Sequence, residues 1–143
     1  MGKRFFLLAV SGLLFLWALP QMAAAQDEVV IGIPLAITGA QAKFGEQHKN
    51  GYTMALEEIL AQGGIRTGAL KGKKLTFHYE DDEGKPEKAK AVTEKLITRD
   101  KLPIIMGGYA SSEGYAIAGT TAQYGTPFLS PSGAADDITQ KGW

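Results

Sequence analysis

Read for apolar and polar positions, the chain alternates between two periods from residue 29 onward. Val29-Val30-Ile31-Gly32-Ile33-Pro34 is a short run rich in β-branched residues, which predicts a buried strand. Thr38-Gly39 then opens a loop. Residues 45–62 follow a helical period, with Tyr52, Ala55, Leu56 and Ile59 at i, i+3, i+4 and i+7. Gly63-Gly64 stops that helix, because glycine takes the left-handed conformation of a helix end without a Cβ clash. Residues 68–72 make a second loop. Leu75-Thr76-Phe77-His78-Tyr79 alternates and predicts a second strand, followed by a solvated turn at Asp81-Asp82-Glu83-Gly84. Pro86 suits the first helical position, where its missing N–H costs nothing. Ala89, Val92 and Leu96 mark one face of a helix running to about Arg99. Leu102 to Met106 predicts a third strand, ended by Gly107-Gly108. A third helix, capped by Ser111 or Ser112, runs to about Tyr124, and Pro127 to Ser130 is the fourth strand.

Strands and helices thus alternate, with short loops between them. That pattern predicts an α/β fold built from βαβ units, with a parallel sheet covered on both faces, since parallel neighbours need crossover connections. Residues 136–143 carry no closing element. Four strands and three helices are at most half of a doubly wound domain, so the sequence is expected to be truncated.

The first 25 residues stand apart. A basic start at Lys3-Arg4 precedes Phe5 to Leu19, which is apolar except at Ser11 and Gly12, and Ala23-Ala24-Ala25 follows. This order predicts a secretory signal cleaved after Ala25. The apolar run is shorter than the roughly 20 residues a spanning helix needs. The expected organisation is therefore a signal peptide at 1–25 and a truncated mature α/β domain at 26–143. Beyond the signal the chain has 13 basic and 15 acidic residues, which gives no electrostatic reason for a nucleic acid or an anionic membrane as partner. With no cysteine, the fold rests on core burial without disulfides, and lipid attachment to a cysteine is excluded. The chain is expected to work free in the periplasm.

Ligands of open α/β sheets bind outside the carboxyl ends of the strands. Three segments lie there: residues 35–45, residues 108–114 and residues 130–135. The last two offer the hydroxyls of Ser111, Ser112 and Ser132 together with backbone N–H groups, and the 108–114 segment does so at a helix start. Such a place suits a carboxylate, because orphan N–H groups and the helix dipole favour negative charge. Ordinary capping by Ser111 and Ser112 explains the same pattern, and sequence alone does not separate the two. Ala110-x-Ser112-x-Gly114 also resembles a small-residue form of the serine nucleophile elbow. That reading, a serine hydrolase using Ser112, needs a later histidine; His48 and His78 both come earlier. The chain is read as a binding protein and not an enzyme. Residues 80–83 lack the spacing of a calcium loop. His48 falls on the polar side of its helix, at the surface, and His78 has no second histidine at ligand spacing, so neither a metal site nor a cofactor is expected.

Taken in order, the landmarks are Ile31-Gly32-x-Pro34-Leu35-x-x-Thr38-Gly39, Ala42-x-Phe44-Gly45, Gly51, Ala55, Gly63-Gly64-Ile65, Tyr79-x-Asp81-Asp82, Pro86-x-x-Ala89, Gly107, Ser111-Ser112 and Gly125-x-Pro127-x-x-Ser130-Pro131. Together they resemble the first lobe of type I periplasmic binding proteins, in the leucine/isoleucine/valine-binding branch, over essentially all of residues 29–143. The resemblance implies a Rossmann-like lobe of a two-lobed clamshell, monomeric at full length, that closes on a small solute, a branched-chain amino acid or a related amino acid, carboxylate or amide, and docks on an inner-membrane ABC permease. The alternative use of such a lobe is as the sensory domain of a receptor. In the ligand site, the resemblance implies that Ser111 receives the carboxylate, that Ser132 and Gly133 supply the backbone segment after strand four, and that Phe44 walls the pocket. Ala134 stands where the amino-acid binders of this branch commonly have threonine, which leaves room for an amide, a urea-like compound or an aromatic acid. One lobe cannot enclose a ligand, so the 143-residue chain alone is expected to bind weakly.

Overall fold

Four strands and four helices follow one another in alternation across residues 28–142, the part of the chain that the computed structural model describes. The expected signal peptide lies outside the described residues. The elements are β1 (Glu28–Leu35), α1 (Ala42–Ala61), β2 (Lys74–Asp81), α2 (Pro86–Thr98), β3 (Ile104–Met106), α3 (Ser111–Tyr124), β4 (Phe128–Leu129) and α4 (Asp137–Gln140). All strand pairs are parallel, in the order β2-β1-β3-β4.

That order fixes the layers. A parallel crossover is right-handed. The step from β1 to β2 and the return from β2 across β1 to β3 run in opposite directions, so their helices land on opposite faces. Accordingly α1 packs on one face, against β2, while α2 and α3 pack together on the other. The main core lies on the second face: Ala89, Leu96, Ile105 and Ile117 are fully buried, and Val92, Ile97, Leu102 and Phe128 pack against them. Leu96, Ile105 and Ile117 each contribute about 1.5–3 kcal/mol on burial. Gly32 lets this layer close, since a Cβ there would stand 2.9 Å from Ile105 Cδ1 and 3.0 Å from Leu102 Cδ1.

Element boundaries differ from the periodicity where hydrogen bonds decide them. α1 begins at Ala42 and not at residue 45, because the chain already turns helically at Gln41, whose carbonyl accepts from Phe44 N (2.9 Å) and Gly45 N (3.1 Å). β2 runs on to Asp81, paired with β1 residue for residue up to Leu35↔Asp81. β3 starts only at Ile104, because Leu102 N donates instead to Leu96 O (3.0 Å) and finishes α2. The end of the described chain does contain a short element, α4, whose Ile138 is buried. On the α1 face, Tyr52, Leu56 and Ile59 are half-buried and Ala55 is exposed, since one helix alone covers that side.

Candidate functional site

The order β2-β1-β3-β4 places the topological switch point between β1 and β3, where the chain leaves to opposite sides and a crevice opens at the carboxyl ends. Two aromatic rings meet there. Phe44, in the first turn of α1, stacks on Tyr109 of the β3–α3 loop, with centroids 4.4 Å apart and planes 7° from parallel. Backbone proximity makes this contact possible. A Cβ on Gly45 would fall 1.9 Å from Ala36 O, so only glycine lets α1 start pressed on the end of β1. Gly107 has φ +148°, and a Cβ there would stand 2.4 Å from Pro34 O. Both loops therefore converge over the end of β1.

The serine loops are joined to each other by their own hydroxyls. Ala135 N donates to Ser111 Oγ at 3.2 Å. Ser132 Oγ donates toward Gly108 O (3.1 Å) and Tyr109 O (3.0 Å). Ser111 is the first residue of α3, not its cap; Ala110 holds the cap position, and no side chain caps the helix. The capping expectation for Ser111 and Ser112 is thus corrected. A hydroxyl that accepts at one lone pair keeps its proton to donate, so Ser111 can still serve an oxygen ligand. Gly133 lies against the start of α3: its Cβ would meet Ile138 Cδ1 at 2.7 Å and the Cα of Gly114 at 3.9 Å. Ala134 is exposed, and its methyl brings no hydrogen-bonding group.

Ser112 turns elsewhere. Its Oγ donates to Glu113 Oε2 at 2.8 Å. Glu113 is buried, and its Oε1 has no hydrogen-bond partner. A serine tied to a carboxylate lacks the imidazole that a hydrolase nucleophile needs. Facing Glu113 is Asp82, also buried, which corrects the expectation of a solvated turn at residues 81–84. Burial pushes the Asp82 carboxyl up to about 6; Gly84 N–H opposes the rise, and the charges of Glu113 and Asp81 add to it.

Asp81, which the sequence reading left in the turn, organises the first loop. Its Oδ1 accepts from Ile37 N (3.0 Å), Thr38 N (3.1 Å) and Glu83 N (2.9 Å), and its Oδ2 from Thr38 Oγ1 (2.6 Å). Burial alone would raise this carboxyl; the Thr38 hydroxyl and the three N–H groups outweigh it and hold the pKa below the ordinary value. Thr38 and Asp81 were both visible as separate motif residues, but nothing in their spacing shows that they meet.

His48 lies at the surface as expected but is half-buried and engaged by neighbouring groups. Its Nδ1 lies 2.9 Å from Phe44 O, and its ring sits edge-on to Tyr109 (5.5 Å) and Tyr52 (5.8 Å). Tyr52 continues to Phe77 at 6.3 Å, and Phe77 to Tyr79 at 6.2 Å. Burial raises the Tyr52 hydroxyl to about 12, with the charge of Tyr79 adding to the rise, so it stays protonated. An open groove of about 380 Å³ runs beside this set, lined by Gln47, His48, Gly51, Tyr52 and Pro131. A larger cavity of about 630 Å³ lies at the β4 edge, between α3, β4 and α4, away from the Phe44–Tyr109 stack.

The architecture is that of an open, doubly wound α/β lobe whose loops gather at the switch point. The chain belongs to the periplasmic binding protein family, whose model matches residues 28–143. It is 30% identical over 142 residues to an amino acid binding protein of Pseudomonas aeruginosa, covering 99% of this chain and 37% of that one. Among solved structures it is similar to the branched-chain amino acid transporter substrate binding protein LivJ of Streptococcus pneumoniae in complex with isoleucine, with a TM-score of 0.69 and 28% identity over 78% of this chain and 30% of that one. It is also similar to a solute binding protein of an ABC transporter from Rhodopseudomonas palustris in complex with 3,4-dihydroxybenzoic acid, with a TM-score of 0.65 and 25% identity over 78% and 29% of the two chains. The chain thus spans about a third of the length of the relatives it matches. The family is periplasmic and binds solutes rather than transforming them. Among the described residues, no helix is long and apolar enough to cross a membrane.

Proposed function

We propose that the chain forms the first lobe of a periplasmic capture protein that delivers a small carboxylate-bearing solute to an ABC importer. The observation that carries this reading is the junction of Ser111 with the Ser132–Ala135 segment at the start of α3. A hydroxyl and helix N–H groups converge there beside an aromatic wall, an arrangement that binds a carboxylate and offers its side chain an apolar surface. Isoleucine and 3,4-dihydroxybenzoic acid, the ligands in two similar structures, differ in everything except the carboxylate. Ser111, Ser132 and Gly133 hold that group, and Phe44 with Tyr109 walls the rest. Ser112 has a structural part, orienting Glu113 beneath the loop. Ala134 brings no hydroxyl to an α-ammonium from this lobe, so other carboxylates stand beside a branched-chain amino acid as candidate ligands.

Calorimetry on the complete gene product, with isoleucine, its amide and 3,4-dihydroxybenzoate as probes, tests the proposal. Saturable binding of a carboxylate supports it, with the acid preferred to the amide. No binding of any of the three, with turnover of an ester instead, would replace it by the hydrolase reading.

A further inference from the structure

We propose that His78, Glu80 and Asp100 form a divalent transition-metal site on the outer edge of the sheet, suited to Zn²⁺. β2 is an edge strand. Its alternation sends Phe77 and Tyr79 to the α1 face, where they neighbour Tyr52 and Lys49. His78 and Glu80 consequently share the opposite face, where Lys95 of α2 bonds Glu80. Asp100 follows directly on Arg99, the C-cap of α2. One donor atom from each of the three lies within 4.8 Å of the other two.

The spacing suits a small ion. Two donors each about 2.1 Å from a common tetrahedral ion stand about 3.4 Å apart. His78 Nε2 and Glu80 Oε1 are 3.3 Å apart already. The widest separation needs to close by at most about 1.4 Å, which a side-chain torsion of Asp100 supplies. The neighbouring cations leave an acceptor open: Lys95 bonds Glu80, and Arg99 Nε donates to Asp100 Oδ1 at 2.9 Å. Asp100 Oδ2 is itself buried with no hydrogen-bond partner, an acceptor whose cost a metal bond would remove. One imidazole nitrogen and two carboxylate oxygens favour Zn²⁺ over Mg²⁺ or Ca²⁺, which prefer all-oxygen shells. Lys95 is the rival cation at Glu80, and its long stem lets it swing away when the ion enters. Sequence spacing hides the set because Asp100 lies 20 residues beyond Glu80.

The chain has two histidines, which gives the test an internal control. His48 sits on the other face, with Nδ1 against Phe44 O. The full chain, free of purification tags and stripped with chelator, is titrated with Zn²⁺ while the ring signals of both histidines are followed by NMR. The expected result is a shift of His78 that saturates at one ion per chain and leaves His48 in place. D100N should lose the shift, K95M should reach saturation at lower Zn²⁺, and Zn²⁺ should raise the Tm of the wild type but not of H78A. Equal responses from both histidines, no response from His78, or wild-type binding by D100N would overturn the site; the wild-type titration decides even where a variant fails to fold.

Discussion

The hydroxyl of Ser111 accepts a hydrogen bond from the backbone N–H of Ala135 at 3.2 Å, across 24 residues of chain. It ties the start of α3 to the loop after β4, while Ser132 ties the same loop back to the carbonyls of Gly108 and Tyr109. Two loops that each end a strand are thereby held as one surface.

Replacing Ser111 by alanine removes both this tie and the hydroxyl offered to a ligand. The expected loss in carboxylate affinity is about 1.5–3 kcal/mol, the worth of a hydrogen bond to a charged group. Calorimetry on the complete gene product reads it. Unchanged affinity would take Ser111 out of the site.

The Phe44–Tyr109 stack carries a separate expectation. A double-mutant cycle on F44A and Y109A should give a coupling of about 0.5–1.5 kcal/mol in unfolding free energy. Y109F should retain it, since the stack uses the ring and not the hydroxyl. Additive single losses would show that the rings do not interact in solution.

Gly45→Ala tests the approach of α1 to β1. Alanine normally favours a helix over glycine by about 1 kcal/mol. Here the added methyl would overlap Ala36 O at 1.9 Å, and backbone must move. The net effect should be a destabilisation of about 1–3 kcal/mol in urea unfolding. A stabilised variant would contradict the contact.

Asp82 makes stability depend on pH in a defined sense. Its folded pKa, near 6, lies above the ordinary 3.8, so folding favours the protonated carboxyl. Its contribution is fully present below the ordinary value and is lost as pH rises through about 6, at a cost on the order of 2–3 kcal/mol. Asn at this position keeps an oxygen for Gly84 N–H and does not titrate. The stability of D82N relative to wild type should therefore rise between about pH 4 and pH 8. Urea unfolding across that range checks it, and a difference independent of pH would show that Asp82 does not carry the shift.

Periodicity reported the elements well because it is a local property. The apolar spacing of Ala89, Val92 and Leu96 marked the face of α2 that the fold buries, with Ala89 and Leu96 fully enclosed. It overstated α1 for the same reason: Tyr52, Leu56 and Ile59 mark a face, but the number of helices that cover it is not a local quantity. The candidate site was legible as three loops at strand ends; that Ser111 meets the loop of Ser132, and Phe44 meets Tyr109, was not. Asp81 was missed in its role, as were the burial of Asp82 and the engagement of His48 by Phe44 and Tyr109.

By itself, then, the sequence determined the alternating strands and helices, the parallel sheet and the glycines at which its loops turn, since each follows from short-range sterics and apolar spacing. Only the tertiary structure decided which loops meet. Strand order sets those meetings, placing β1 between β2 and β3 and so bringing Thr38 to Asp81 and Phe44 to Tyr109. Burial does the rest, because the protonation of Asp82 depends on what surrounds the carboxyl and not on its neighbours in the chain.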